Sequence, residues 1–138
     1  MDLSHKVLVR NKPGGSGLYA AAAISKAETI LFLNGRLASE ASRYSIQVNE
    51  KNHLEPFSAD PSDCSSLWRF LNHSCCPNAL VDTVKMKVIA LVDIKEGEEI
   101  TCDYDTTEYK IAFPFCCRCE NENCRGNIGG YYKNAGNS

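Results

Sequence analysis

Hydrophobic residues in this chain fall in short blocks separated by turn-forming residues, and most of the blocks read as strands. Residues 6–10 read as a short strand, and Pro13-Gly14-Gly15-Ser16-Gly17 after it reads as a sharp turn. Residues 18–24 continue as an alanine-rich apolar run, and residues 25–28 read as a connection. Residues 29–33 have the composition of a buried strand and stop at Asn34-Gly35. Residues 44–48 alternate between apolar and polar, and Glu50-Lys51-Asn52 turns the chain back toward His53-Leu54. Asp60-Pro61-Ser62-Asp63 reads as a helix start, with a short helix over residues 64–71 carrying Leu67, Trp68 and Leu71 on one face. Residues 79–81, 88–92 and 99–104 complete the strand pattern, the last after a turn at residues 95–98. Many short strands and few helical periods predict a mostly β fold. No internal repeat is apparent.

At 138 residues the chain is sized for one domain. Apolar residues make up 43% of it, enough for a core and too many for disorder. A net charge of −2 lacks the electrostatic footprint of a nucleic-acid binder, so direct nucleic-acid binding is not expected. The first residues show no cleavage-site pattern, and no apolar run is long enough to span a membrane. A soluble intracellular protein with no membrane partner is expected. Its nuclear or cytoplasmic site and its oligomeric state stay open.

Eight cysteines change the picture. Cys117, Cys119 and Cys124 are three clustered thiols, one short of a tetrahedral zinc site. Cys75, in the segment Asn72-His73-Ser74-Cys75-Cys76-Pro77-Asn78, is placed to be the fourth ligand. A disulfide framework is the weaker reading, because clustered thiols in a reducing compartment more often bind metal. Cys64, Cys76, Cys102 and Cys116 remain, and are expected to act as small buried apolar residues. The tail, poor in apolar residues, is expected to need the metal for order.

Four motifs together resemble the SET-domain protein lysine methyltransferases. Gly15-Ser16-Gly17-Leu18-Tyr19-Ala20 resembles the family's glycine motif, which by itself reads as an ordinary turn. Residues 69–78, starting at Arg69-Phe70-Leu71-Asn72-His73, are similar to its R-F-x-N-H-S-C-x-P-N motif. Residues 97–104, ending in Asp103-Tyr104, resemble G-E-E-[LI]-T-x-D-Y. The stretch from Cys117-Arg118-Cys119 to Cys124 resembles the post-SET zinc segment.

The resemblance implies a SET fold of several short twisted sheets around a pseudoknot, with a SET domain over residues 1–112 and a zinc-bound post-SET segment over residues 113–138. It implies S-adenosylmethionine as cofactor, held by Gly15, Ser16, Gly17, Leu18, Arg69, Asn72, His73, Tyr104 and Phe115. Tyr104 is then catalytic, and Tyr44, Cys102 and Tyr104 line the substrate channel, with Tyr44 in a strand. Cys102 stands where the family often has Phe or Tyr, which leaves room at the amine for di- or trimethylation. Tyr131 and Tyr132, with Phe115, are expected to cover the cofactor or the channel. Zinc falls to Cys75, Cys117, Cys119 and Cys124. The implied partner is a lysine-containing protein, with a histone tail the family default. A non-catalytic SET-like peptide-binding module is the alternative, and a zinc-ribbon nucleic-acid module is a more remote one.

Overall fold

The computed structural model describes residues 3–117, 119 and 122–131. Its first sheet starts from a hairpin. Strand β1 (Val7–Lys12) pairs antiparallel with β2 (Gly15–Ala20), in register from Val7↔Ala20 to Lys12↔Gly15. Gly14 turns the chain between them at a φ of 87°, a value that a residue with a side chain resists. The turn is therefore shorter than the expected residues 13–17. Gly15, Ser16 and Gly17 are drawn into β2, because β1 offers them ladder partners. Gly17 has a steric role there: a Cβ would sit 2.6 Å from Glu99 Oε2 and 3.2 Å from Asn72 Nδ2.

The other edge of β2 binds β10 (Glu99–Cys102), again antiparallel. Beyond β10 lies β7 (Asn72–His73), and this pairing is parallel, Thr101 to Asn72 and Cys102 to His73. So short a ladder needs help, and Asn78 supplies it. Its Nδ2 donates to the Glu99 carbonyl at 2.8 Å, and its Oδ1 accepts the Thr101 N–H at 2.8 Å. The Ser74 N–H adds a bond to the Cys102 carbonyl at 3.0 Å. The loop after β7 is thereby wrapped along β10.

A second sheet has the order β3 (Thr29–Phe32), β9 (Lys87–Ala90), β8 (Ala79–Asp82). A third has the order β4 (Arg36–Ala38), β6 (His53–Glu55), β5 (Ile46–Gln47). Strand β4 was not anticipated: it is short, and its Leu37 is 65% exposed. It rests on a close approach, since a Cβ on Gly35 would sit 2.2 Å from the Glu55 carbonyl oxygen. The strand expected over residues 44–48 shrinks to β5, which leaves Tyr44 in the preceding turn. Tyr104 likewise opens a short 3-10 turn, Tyr104–Thr106, instead of ending a strand.

The structure also reveals a repeat that was not anticipated. Residues 21–30 and 91–100 follow the same conformation, and Ile24 and Ile94 exchange backbone hydrogen bonds of 2.8 Å in both directions. Ala27 bonds Ala90 as Gly97 bonds Ala20, each at 2.8 Å, and both donors sit at positive φ (72° and 86°). Only isoleucine and glutamate spacing is shared between the two sequences, so the repeat lies in backbone geometry.

Leu18, Ile30, Val88, Ile94 and Ile100 are fully buried in the main core. The segment Cys64–Phe70 closes that core as a 3-10 helix, not an α-helix. Asp63 caps it by accepting the Ser65 N–H at 3.1 Å and the Ser58, Ser65 and Ser66 hydroxyls. Leu67, Trp68 and Leu71 are all buried, as their spacing predicts, and the Trp68 indole donates to the Asn34 carbonyl at 2.9 Å.

A second, smaller core joins Cys75, Ile111, Cys117 and Ile128. Over it lies a ribbon of β11 (Phe115–Cys116) and β12 (Asn127–Ile128). Buried Asp105 holds this tail: Oδ1 accepts the Gly129 and Gly130 N–H groups at 3.1 and 2.9 Å, and Oδ2 accepts Arg125 Nε at 3.1 Å. The tail thus has an attachment besides its thiols, and Ile111, on the SET side of the expected boundary at 112, already packs with it. Among the described residues, no helix is long and apolar enough to cross a membrane.

Replacing Asn78 by Ala strands one donor on Thr101 and one acceptor on Glu99. We expect a loss of about 2–4 kcal/mol in denaturant unfolding, and an unchanged midpoint would show that β7 and β10 hold without this side chain.

Candidate active site

The parallel pairing of β7 and β10 brings two distant polar segments together. Asn72 Nδ2 donates to the Ser16 carbonyl and to Glu99 Oε2, each at 2.8 Å. Lys12 Nζ meets Glu99 Oε1 at 2.6 Å. Asn72 therefore fixes the glycine strand against β10. The His73 ring uses both nitrogens on the protein itself. Its Nδ1 accepts the Tyr104 N–H at 3.0 Å, so the ring proton is on Nε2, which lies 3.2 Å from Cys75 Sγ. The ring still lines the cleft, edge-on to Tyr104 and Phe115 with centroids 5.5 and 5.7 Å away.

Two cavities meet here. An open cleft is lined by Gly15, Ser16, Asn72, His73, Phe115 and Tyr104. Gly14 and Gly15 present bare main chain to it, for a Cβ on either would meet nothing within 4 Å. A narrower pocket is lined by Tyr44, Ser45, Leu71, Cys102, Tyr104 and Glu108. The cavities share Arg43, Tyr44, Arg69, Tyr104 and Ile111. At this neck the Arg69 guanidinium lies over the Tyr44 ring, 3.9 Å from its centroid.

Most residues expected at a site do converge here, with qualifications. Leu18 turns its side chain wholly into the main core, and Gly17 lies beneath Asn72 and Glu99. Tyr44 reaches the pocket from a turn and is held by Arg69, not by a strand ladder. Cys102 belongs to the core and lines the narrow pocket as well, and burial pushes its thiol up to about 12. The other cysteines read as core fillers, Cys64, Cys76 and Cys116, are exposed. Tyr131 packs edge-on against Tyr109 (centroids 5.3 Å), and the expectation for Tyr132 lies outside the described residues. Sequence reading missed Glu108, His53, Ser45 and Lys12. Nothing in Thr107-Glu108-Tyr109-Lys110 distinguishes it from a solvated loop.

The Tyr104 hydroxyl donates to the Leu71 carbonyl. That commits its hydrogen and leaves oxygen lone pairs as its remaining capacity. Burial, with the nearby Cys102 acting the same way, holds the phenol well above the ordinary tyrosine range.

Beside this site, the Sγ atoms of Cys75, Cys117, Cys119 and Cys124 all lie within 4.8 Å of one another. The Cys75 and Cys117 sulfurs are 3.9 Å apart. Tetrahedral zinc with bonds of about 2.3 Å separates its sulfurs by roughly 3.8 Å, so the donor set fits that ion. Burial raises both the Cys75 and Cys117 thiols, the latter up to about 12, a penalty that a bound cation would offset. His73 and the Arg125 N–H, 3.4 Å away, both reach Cys75 Sγ. The thiol cluster and the cleft are therefore joined through one imidazole.

A short parallel crossing, a glycine edge and a cluster of four thiols thus meet at one place. The chain belongs to the SET-domain family: its model matches residues 15–105, the greater part of the sequence. The H3 lysine-36 specific histone-lysine N-methyltransferase of Candida albicans is 32% identical over 139 residues, covering 89% of this chain and 16% of that protein. The enzyme of the same name from Saccharomyces cerevisiae is 46% identical over 71 residues, covering 47% of this chain and 10% of its own length. The chain thus spans a small fraction of these relatives. A crystal structure of KRYPTONITE in complex with mCHH DNA, H3(1-15) peptide and SAH matches with a TM-score of 0.65 at 21% identity, covering 88% of this chain and 29% of that one. The likeness to KRYPTONITE is one of fold.

Because the Tyr104 phenol is raised, it should stay protonated while ordinary tyrosines ionise near pH ~10. Spectrophotometric titration of wild-type and Tyr104→Phe protein up to about pH 11 should count equal tyrosinates. One fewer in the variant would contradict the buried, hydrogen-bonded phenol.

Proposed function

We propose that this chain is an S-adenosylmethionine-dependent protein-lysine N-methyltransferase that modifies a histone tail. The observation that carries the proposal is the meeting of the open, glycine-edged cleft and the narrow pocket at one neck, where Tyr104 is shared by both. Membership of the family and likeness to histone H3 lysine-36 specific relatives support histone H3 as substrate and chromatin as the place of action.

The cleft suits the cofactor. Bare main chain at Gly14 and Gly15 permits close approach, and Ser16 is held in place through Asn72. Phe115, packed against His73 and Tyr104, forms an aromatic wall from the tail side. When bound, S-adenosylmethionine supplies an activated methyl group, and the organic chemistry is its own. The chain's task is to position a neutral amine. Tyr44, Leu71 and Cys102 give the narrow pocket largely apolar walls, and Arg43 and Arg69 stand at its neck. Burial and positive neighbours both disfavour a lysine ammonium. With its hydrogen on the Leu71 carbonyl, the Tyr104 oxygen is left to accept from the amine N–H or from the polarised methyl C–H. Small Cys102 in the wall favours di- or trimethylation. Alignment of this kind contributes on the order of 7–11 kcal/mol in ideal systems.

Zinc on the four thiols is part of the same proposal. It would fix β11, and with it Phe115, over the cleft, so that residues 113–138 act as a post-SET segment completing the SET domain of residues 1–112.

Methyl transfer from labelled S-adenosylmethionine to core histones tests the reading. Tyr104→Phe should lower transfer about 100-fold or more while cofactor binding and zinc content persist. Cofactor binding without any labelling by the wild type would point to a non-catalytic peptide-binding module. Elemental analysis should find about one zinc per chain. Cys119→Ser should lose that metal and make the tail sensitive to protease, and a metal-free protein with a protected tail would sink the zinc assignment.

A further inference from the structure

Among the described residues the narrow pocket contains one acid, and the positioning of the amine gives it no task. Glu108 is 2% exposed and lines the pocket together with Tyr44, Cys102 and Tyr104. Its carboxylate is held at both oxygens. Ser45 Oγ donates to Oε1 at 2.5 Å, and His53 Nδ1 lies 2.6 Å from Oε2. The His53 side chain, on β6, is 13% exposed, so the pair leads from the pocket to the surface.

The tail locks the acid from the other side. The Tyr131 N–H donates to the Glu108 carbonyl at 3.0 Å, and a Cβ on Gly130 would sit 2.7 Å from that oxygen. Around the carboxylate stand His53 and the more distant Glu55 of β6, Ser45 from the turn before β5, and Tyr131, whose ring packs on Tyr109. Across the pocket are Arg43, Tyr44, Arg69, Cys102 and Tyr104. Burial is the largest influence on Glu108 and raises it, while Ser45 and His53 pull it down.

We propose that Glu108 is the proton acceptor of the substrate pocket, with His53 as its outlet to solvent, an assignment that rests on the methyltransferase reading. An ordinary lysine, with a pKa of about 10.4, arrives as an ammonium and has no lone pair to offer. One N–H bond of the ammonium breaks, its electron pair stays on nitrogen, and an O–H bond forms on Glu108. With Nδ1–H of a doubly protonated His53 donating to Oε2, the arriving proton neutralises Glu108 while the imidazolium releases its Nε2 proton to water, so the charge of the pair is unchanged. The amine then holds the lone pair that attacks the methyl carbon. Each carboxylate oxygen has a second acceptor position beyond its bond to Ser45 or His53. An acid raised toward neutrality is also better matched to this exchange than a surface glutamate.

The test compares wild type, E108Q and H53Q, each checked for cofactor binding and thermal melting. Transfer to core histones is followed between about pH 6 and 10. E108Q should lose about 100-fold near neutrality and recover as rising pH deprotonates the lysine directly. H53Q, which keeps the acid and removes its outlet, should show a smaller shift in the same direction and keeps the proposal testable if E108Q does not fold. Calorimetry in buffers of different ionisation enthalpy adds a measurement without turnover. An H3 peptide carrying lysine 36, the site in the relatives' name, should release a proton on binding wild type and not on binding E108Q.

A uniform loss at every pH, or equal proton release by both proteins, would reduce Glu108 to a structural part and overturn the proposal. Wild-type protein that binds cofactor but labels nothing would overturn the methyltransferase reading and this inference with it. A wild-type enzyme with an E108Q profile of the same shape would overturn this inference alone.

Discussion

The parallel pairing of Asn72–His73 with Thr101 and Cys102 is the constraint on which the rest of the molecule depends. A parallel ladder between segments so far apart in sequence cannot form locally, and one this short cannot hold by itself. Asn78 acts as a clamp, bonding one donor and one acceptor of β10 with a single carboxamide. Once the loop is wrapped along β10, Asn72 meets the glycine strand, His73 meets the Tyr104 amide, and the Tyr104 hydroxyl reaches Leu71. Both cavities form around that one crossing.

The tail depends on the same crossing. Cys75 comes from the wrapped loop, while Cys117, Cys119 and Cys124 come from beyond it. Asp103 and Asp105 follow β10 directly and take Arg125 at 2.6 and 3.1 Å. The acid pair, the thiols and Ile128 therefore close the tail onto the neck of the site. His73 links the two halves, since it bonds a thiol of the cluster and the amide of the residue at the neck. A change in the thiol cluster would reach the cleft through this ring and through Phe115.

The narrow pocket has a division of labour that follows from burial. Tyr104 and Cys102 are held protonated by their surroundings, so neither carries charge into the pocket near neutral pH. Arg43 and Arg69 bring positive charge to the neck, and Glu108 with His53 brings the one carboxylate. A cationic side chain in this space would find that acid as its counter-charge among the described lining residues. The tail reaches this pocket too, because Gly130 and Tyr131 pack on the backbone of Glu108.

Much of this was legible from residue type and spacing. The strand-rich class, the buried face of Leu67, Trp68 and Leu71, the four thiols and the convergence of Asn72, His73 and Tyr104 could all be read from motifs whose chemistry is local or whose resemblance is specific. Other features were decided only by the tertiary structure. Gly15 to Gly17 read as a turn and became a strand, because long-range ladder partners outweigh local preference. Leu18 was read among the cofactor contacts through its backbone, and the alternation of β2 sends its side chain into the core. Asp63 and its serines announced a helix start, and the chain took a 3-10 path. The backbone repeat of residues 21–30 and 91–100 left almost no trace in residue identity. Glu108 and His53 were invisible because an acid in a polar loop and a histidine in a short strand look solvated until folding removes water from between them. Sequence carries propensity and chemistry; which groups lose their water together is decided by packing between distant segments.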